Sequence, residues 1–347
     1  MATGNWYKLS VKQAGIHKID LAFLSSLGIN TSNLASNSIR LFGNGGHMLA
    51  ESNAGPWLDD LQENAITVVD GGDGVVNGND YLLFYSTGPD KWLKDSVNLR
   101  FRHQKNIYSD KSFYFLSVGG PGKRIADAPV ISSPNMVVTN FSERFFHELD
   151  TVTLLYSGKE WYGEEFSSLP GRSLTRNFPV NIPDISNGAS LIIQSNFVAR
   201  SLGAGSSFDV KVNNSSVGIV TLPPIGTGQF DLFAREGTAI ATTIVSQSNP
   251  IITYTYTPGS FNAQGWLNWF EIFTRRNLSI SGGTQVLFRD WASVGNNRAE
   301  FVVSNASAST QVWDVTDPLN PLKMQGNLTG GQFRFINDCS RLREYAA

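Results

Sequence analysis

From Trp6 onward the chain runs as short segments in which apolar and polar residues alternate, each cut off by glycine, asparagine, aspartate or proline. Alternation with a period of two suits a strand with one buried face, and such frequent breakers leave little room for long helices. The chain is therefore expected to be mainly β. Gly 33 in 347 residues, with a charged fraction of only 16%, fits a loop-rich β-protein better than a helical enzyme. That length predicts about two domains of roughly 150 residues each.

In the first domain, expected over 1–130, the runs at 6–11 and 15–19 read as a hairpin. One helix follows, with Asp20 as its N-cap, Leu21, Phe23, Leu24 and Leu27 on one buried face, and Gly28 as a left-handed C-cap. Strands are expected at 38–42, 65–69, 81–86, 99–103 and 112–118, making an antiparallel β-rich domain with one short helix. The breaker-rich GGPG at 119–122, followed by more prolines, is the best candidate for a linker and sets the boundary near residue 130. The second domain, 131–347, shows runs at 141–148, 190–199, 207–212, 218–222, 229–234, 251–256, 266–274, 285–289 and 300–303. Short strands at this spacing predict a jelly-roll-like β-sandwich. The 266–274 run also matches helical spacing, but its aromatic and β-branched content, with Gly265 ahead of it, favours a strand.

A net charge of −2 with no lysine or arginine run gives nucleic acid no basic field to bind. No segment approaches the roughly 18 apolar residues of a membrane span, and the start MATGNWYKLS lacks the order of a signal peptide. If the protein is exported, its signal is expected to have been removed ahead of Met1. The single cysteine, Cys339, excludes an internal disulfide, and no flanking pattern marks it as an activated thiolate.

Two segments suggest chemistry. The loop at 70–80 offers Asp70, Asp73, Asn77 and Asp80 as oxygen ligands for Ca²⁺. Against the EF-hand pattern Gly74, Asn77 and Asp80 fall in place, but Val69 and Gly71 stand where the first two ligands belong. The competing reading is a glycine-rich hairpin loop between two strands. The second segment, at 157–166, sets Glu160, Glu164 and Glu165 beside Trp161 and Tyr162. Carboxylates next to aromatic rings have the composition of a sugar site, so Glu160, Trp161, Tyr162 and Glu164 form a candidate glycan-binding patch, with a surface loop as the alternative. GNGG at 43–46 lacks the Gly-Lys-Ser/Thr of a phosphate loop and reads as a turn. The four histidines show no metal-binding spacing, Arg275, Arg276 and the 288–291 run read as strand-end ion pairs, and no catalytic set emerges.

Several segments recur in order along almost the whole chain: WYKL (6–9), GIHKI (15–19), LGI (27–29), RLFGNGG (40–46), DGGDG (70–74), NDY (79–81), LFYS (83–86), GPDKW (88–92), YSD (108–110), SGKEWYG (157–163), WDVTDP (313–318) and LREY (342–345). Each is weak alone, but together they resemble the amino-terminal region of PorU-type sortases of the type IX secretion system. In that family a gingipain-like cysteine peptidase domain follows this region, and no residue here matches its Cys/His pair. The resemblance implies a non-catalytic scaffold or docking region ahead of a peptidase absent from these residues. It also implies an exported protein at the outer-membrane surface of a Gram-negative, Bacteroidetes-type bacterium, whose partners are cargo sorting domains and an outer-membrane barrel. The alternative is a carbohydrate-binding module of a surface protein.

Overall fold

The computed structural model describes residues 4–55, 57–156, 158, 160–281 and 285–347; Ser157 and Lys159 of the SGKEWYG segment lie outside that set. As expected, the fold is mainly β with one short α-helix among the described residues. The chain forms two compact units, Met1–Thr139 with Leu278–Ala347, and Asn140–Asn277. The sequence places a single boundary near residue 130, whereas the chain leaves the first unit after Thr139 and returns to it after Asn277. Strand pairing is the reason. Ala126–Asp127 runs parallel to Leu322–Lys323, and Met136–Val138 runs parallel to Asn296–Val303, so the last segment completes the first unit.

The expected linker is packed down rather than extended. Gly119 N–H donates to Ser38 O at 2.9 Å, Gly122 N–H donates to Asn37 O at 2.9 Å, and a Cβ on Gly122 would stand 2.2 Å from Ile39 O. The expected hairpin also differs: Trp6–Val11 pairs with Ser112–Val118, and Gly15–Asp20 with Tyr81–Ser86, so the two runs enter separate sheets. The intervening link passes so close to Gly88 that a Cβ there would lie 2.8 Å from Ala14 N.

The helix Leu21–Ser26 follows its capping signals. Asp20 Oδ1 accepts from Phe23 N at 2.8 Å. At the other end Gly28, at φ +86, donates to Ser25 O and Ile29 N donates to Leu24 O, a Schellman arrangement that brings buried Leu24 against buried Ile29. Only Leu24 of the predicted face is fully buried; Leu21 and Leu27 are half-buried against the core and Phe23 is 40% exposed. Gln285 then joins the late segment to the early one, accepting from Ile16 N at 2.7 Å. Buried Trp313, Val315 and Ala346, from the WDVTDP segment and the carboxy terminus, pack with Tyr85.

Among the described residues the strands of the second unit are numbered in chain order: β1 Asn140–Glu148, β2 Glu165–Ser167, β3 Thr175–Pro179, β4 Ala189–Arg200, β5 Ser206–Val212, β6 Ser215–Leu222, β7 Arg235–Val245, β8 Ile251–Thr257 and β9 Gln264–Asn277. One sheet has the order β1-β9-β4-β7, with β2 also on β9; the other has the order β3-β8-β5-β6. Because β1 and β2 both pair along β9, they act as one interrupted strand. Counted that way, the sheets read 1-8-3-6 and 2-7-4-5, which is the jelly-roll order of two interlocked Greek keys. The inner faces meet in a core where Phe197 stacks on Phe208 at 4.3 Å and Phe166 meets Phe208 edge-on at 5.3 Å. Each such ring, fully buried, contributes about 1.5–3 kcal/mol of transfer free energy. The run expected at 229–234 is a turn, held by Gly228 N–H donating to Asp231 Oδ2 at 2.6 Å, and the strand begins only at Arg235.

Candidate functional site

Between β1 and β2 the edge strand breaks, and residues 149–164 make an excursion that carries the aromatic-acidic segment. Its return is fixed by backbone pairing: Tyr162 and Val152 exchange hydrogen bonds of 2.7 and 3.0 Å, and Gly163 N–H donates to Leu267 O at 3.0 Å. Gly163 is required, since a Cβ there would lie 2.6 Å from Leu149 O. The segment is thus clamped onto β9, and its side chains divide between the two faces of the sheet.

Glu164 turns inward. Its Oε1 lies 2.8 Å from His147 Nε2, and the His147 ring is stacked on Phe270 at 5.2 Å and stands 4.9 Å from Phe178. Burial alone would push the Glu164 carboxyl up, but the hydrogen bond from His147 and further hydrogen-bonding and charge contacts outweigh it and hold the group below its ordinary value. Oε2 of the same carboxylate is buried with no hydrogen-bond partner. Nearby Tyr254, entirely buried and 2.7 Å from Ser195 Oγ, has its hydroxyl pushed far up, first by burial and then by the Glu164 charge.

Glu160 turns to the other face. There Asn268 Nδ2 donates to Glu160 Oε1 at 3.2 Å and to Asn196 Oδ1 at 3.0 Å, while Asn196 Nδ2 donates to Glu236 Oε1 at 2.7 Å and to Thr238 Oγ1 at 3.2 Å. The two asparagines, both buried, meet where the β4–β9 register slips between Asn196 and Phe197. A bulge of this kind re-aims side chains out of the pleat, and here it directs an amide pair into a carboxylate network. Burial raises the Tyr162 hydroxyl, and the Glu160 and Glu236 carboxylates raise it further. Trp161 remains 37% exposed. The structure therefore groups Glu160 and Tyr162 with Asn196, Glu236, Thr238 and Asn268, and sends Glu164 elsewhere. Single asparagines inside the apolar runs SNFV and WLNWF were the available signal for the two amides.

The 70–80 segment joins paired strands, Thr67–Val69 against Tyr81–Ser86, and within it Val75–Val76 pairs with Leu34–Ala35, so it is not a simple hairpin loop. Each of its carboxylates caps a local turn, and Asp70 also binds the Ser36 hydroxyl. Asp70 Oδ1 accepts from Gly72 N at 3.1 Å, Asp73 Oδ1 from Val75 N at 2.9 Å, and Asp80 Oδ2 from Asn77 N at 2.8 Å. The Ser36 hydroxyl, then the Gly72 N–H, hold the Asp70 carboxyl below its ordinary value. Gly71, Gly72, Gly74 and Gly78 all take the positive φ that these turns need. Among the described residues no group of three or more acidic, imidazole or thiol side chains is placed to hold a metal ion.

Cys339 is fully buried, and burial pushes its thiol up, opposite to what an activated nucleophile needs; Tyr345 OH stands 3.9 Å away. GNGG at 43–46, read as a turn, is irregular backbone with a bend at Gly46, tied down by Asn44, whose Oδ1 accepts from Gln62 N at 2.8 Å. Arg276 pairs with Glu143 at 2.5 Å and Arg289 with Glu344 at 3.8 Å, while Arg275 donates to Asn140 Oδ1.

No family model matches the chain, and no curated protein matches it. Among solved structures it is similar to dimeric latent PorU from Porphyromonas gingivalis, with a TM-score of 0.82 and 21% identity over 100% of this chain. The chain shares a PorU-related fold over its full length. It spans 32% of that protein, about a third of its length. A carbohydrate-binding module, CBM36, in complex with calcium and xylotriose matches 38% of this chain and 98% of its own at 11% identity and a TM-score of 0.21, a likeness too slight to carry an argument.

Proposed function

We propose that this chain is a non-catalytic scaffold and docking region of a PorU-type sortase of the type IX secretion system. The observation that carries the reading is the full-length PorU-related fold at a TM-score of 0.82. The buried, upward-shifted Cys339 thiol supports the non-catalytic part, because a peptidase nucleophile must be reachable and ionisable. In this reading the parent protein carries a cysteine peptidase beyond Ala347 and works at the outer-membrane surface. The β-units position that peptidase and dock the sorting domain of secreted cargo or an outer-membrane barrel. Titrating the purified chain with an isolated cargo sorting domain should give saturable binding with no peptide hydrolysis. Hydrolysis that disappears in Cys339→Ala would sink the proposal.

The second reading is a glycan-binding face on the jelly roll. It is favoured by half-exposed Trp161 next in sequence to Glu160 and Tyr162, which face the Asn196–Asn268 network. Oligosaccharides should then quench tryptophan fluorescence, an effect absent in Trp161→Ala. A sorting domain without glycan should leave that quenching unchanged.

A further inference from the structure

In the first unit the strands Lys91–Asp95 and Arg100–Gln104 form a two-stranded hairpin, in register from Gln104↔Lys91 to Arg100↔Asp95. One face is anchored by rings: Trp92 meets Phe101 and His103 edge-on at 6.3 and 5.9 Å, and buried Phe101 lies 5.3 Å from Trp291. Beyond these rings the hairpin is open to solvent. Lys91, Leu93, Lys94 and Arg102 are exposed, and so is every residue of the connecting turn, 96–99.

That turn holds a fixed shape around two apolar side chains. Asp95 Oδ1 accepts from Val97 N at 3.1 Å and Asn98 N at 3.0 Å, and Asp95 Oδ2 accepts from Asn98 Nδ2 at 2.7 Å. Leu99 then takes φ +52, the left-handed conformation in which a bulky side chain is strained and glycine or asparagine is usual. Yet Leu99 is 56% exposed and its neighbour Val97 is 91% exposed, so neither gains much burial within the chain. A leucine at a strained position with most of its side chain in water costs the folded chain stability. Its gain has to come from a surface outside the chain.

Charge selects that surface. Residues 91–105 hold five lysines and arginines and one carboxylate, in a chain whose net charge is −2, so the remainder of the chain is acidic and this hairpin is not. Among the described residues Lys94 and Arg102 enter no ion pair. The neighbouring carboxylates are engaged elsewhere: Asp110 faces Lys12 at 3.9 Å, and Asp90 Oδ1 accepts from Asn106 N at 2.9 Å. Apolar side chains that project this far, with cations beside them, fit a lipid interface. The tip enters the boundary of the acyl chains while lysine and arginine reach the phosphates of the headgroups. These are the two signals, apolar insertion and a basic patch, that stable peripheral attachment takes.

We propose that the 91–105 hairpin is a membrane-docking finger that inserts Val97 and Leu99 into the surface of an anionic, phosphate-bearing lipid bilayer. The proposal rests on the hairpin alone and stands or falls independently of the sortase reading. Co-sedimentation of the full chain with phosphatidylcholine vesicles containing phosphatidylglycerol tests it. The chain should bind these vesicles, bind pure phosphatidylcholine at least about tenfold more weakly, and dissociate as salt is raised. Lys94→Gln and Arg102→Gln should each weaken binding about fivefold, the worth of one cation near an anionic surface. Leu99→Gly relieves the strained φ, so the fold should survive, yet binding should drop about tenfold through loss of the apolar tip. A second measurement reports depth. The only native thiol is buried, so a Val97→Cys chain takes an environment-sensitive dye at a single accessible site. Its emission should shift to the blue on anionic vesicles, whereas the same dye on Val130→Cys, 83% exposed in the parent chain and outside the hairpin, should not respond. No binding to anionic vesicles, equal binding to pure phosphatidylcholine, or a dye at position 97 that stays in water overturns the proposal. So do charge variants that bind like the parent. Leu99→Gly binding as tightly as the parent also overturns it, since that would mark a purely electrostatic surface suited to an acidic peptide.

Discussion

His147 Nε2 and Glu164 Oε1 stand 2.8 Å apart across the break in the edge strand, joining the end of β1 to the residue just before β2. The pair bridges 17 positions of sequence and closes the 149–164 excursion from inside the sandwich. Because Glu164 is 12% exposed and its Oε2 has no partner, losing the imidazole would strand a charge in a largely apolar site. His147→Ala is expected to cost about 3 kcal/mol, the lower end for breaking a buried pair, because part of the histidine reaches water. Glu164→Gln, which keeps a hydrogen-bonding group without the charge, should cost less. Urea unfolding of both variants beside the parent protein checks the order, and an equal loss from both would refute it.

The same pair sets a pH dependence. The Glu164 carboxyl titrates below its ordinary value in the folded chain, so the unfolded chain binds its proton first as the solution is acidified. Its stabilisation is complete above the ordinary carboxyl value of about 4.3 and disappears as the pH falls through the lower folded value. His17, held down by burial, and His47, held down by burial and then by Lys91, act in the same direction. Their window opens higher, below about 6.5. Glu164→Gln should therefore flatten only the part of the stability curve below about pH 4.3, while the decline beginning near pH 6.5 persists. Loss of the upper decline in that variant would show the assignment to be wrong.

The 70–80 loop makes a different claim. Asp73 and Asp80 accept from the Val75 and Asn77 N–H groups, so each contributes to its turn whether or not an ion binds. Asp73→Ala and Asp80→Ala should each lower stability by about 1 kcal/mol, the scale of a lost side-chain cap. The melting temperature should be the same in calcium and in chelator for the parent and both variants. A calcium-dependent rise lost in Asp73→Ala would instead establish the loop as a metal site.

Local chemistry was legible in the sequence; long-range pairing was not. The strands Tyr81–Ser86 and Ser112–Val118 fall where alternation places them, and the helix starts at the Asp20 cap and ends at Gly28 as its signals require. Strand partners lie far apart in the chain, so alternation could not show that 6–11 and 15–19 enter different sheets. For the same reason it could not show that the carboxy-terminal segment returns to the first unit. β7 escaped because Thr and Ala fill an alternation that Ile alone marks, while the bulkier residues at 229–234 drew attention to what is a turn. The candidate site was half visible: Glu160 and Tyr162 stood in an evident cluster, but Asn196 and Asn268 meet only at the register slip between β4 and β9, and Glu236 reaches Asn196 from β7, far away in the sequence.

Gly163 is where that cluster depends on backbone geometry. Its neighbours Tyr162 and Glu164 have side chains on opposite faces of the sheet, and the backbone between them leaves no room for a methyl group. The nearest atoms to a Cβ are Leu149 O at 2.6 Å, Leu149 Cβ at 3.1 Å and Leu267 O at 3.3 Å. Two of the three are backbone carbonyl oxygens held in or beside the sheet, so they cannot swing away as a flexible side chain would. Gly163→Ala must lengthen the Gly163 N–H to Leu267 O bond or shift the excursion, and overpacking of this kind costs about 1–3 kcal/mol. The His147–Glu164 pair should weaken with it, because the same backbone delivers Glu164. Combining Gly163→Ala with His147→Ala should therefore cost less than the sum of the two single losses, by at least about 0.5 kcal/mol, the coupling expected of residues that share one structural element. Strict additivity in urea unfolding would mean that Gly163 and the His147–Glu164 hydrogen bond are independent.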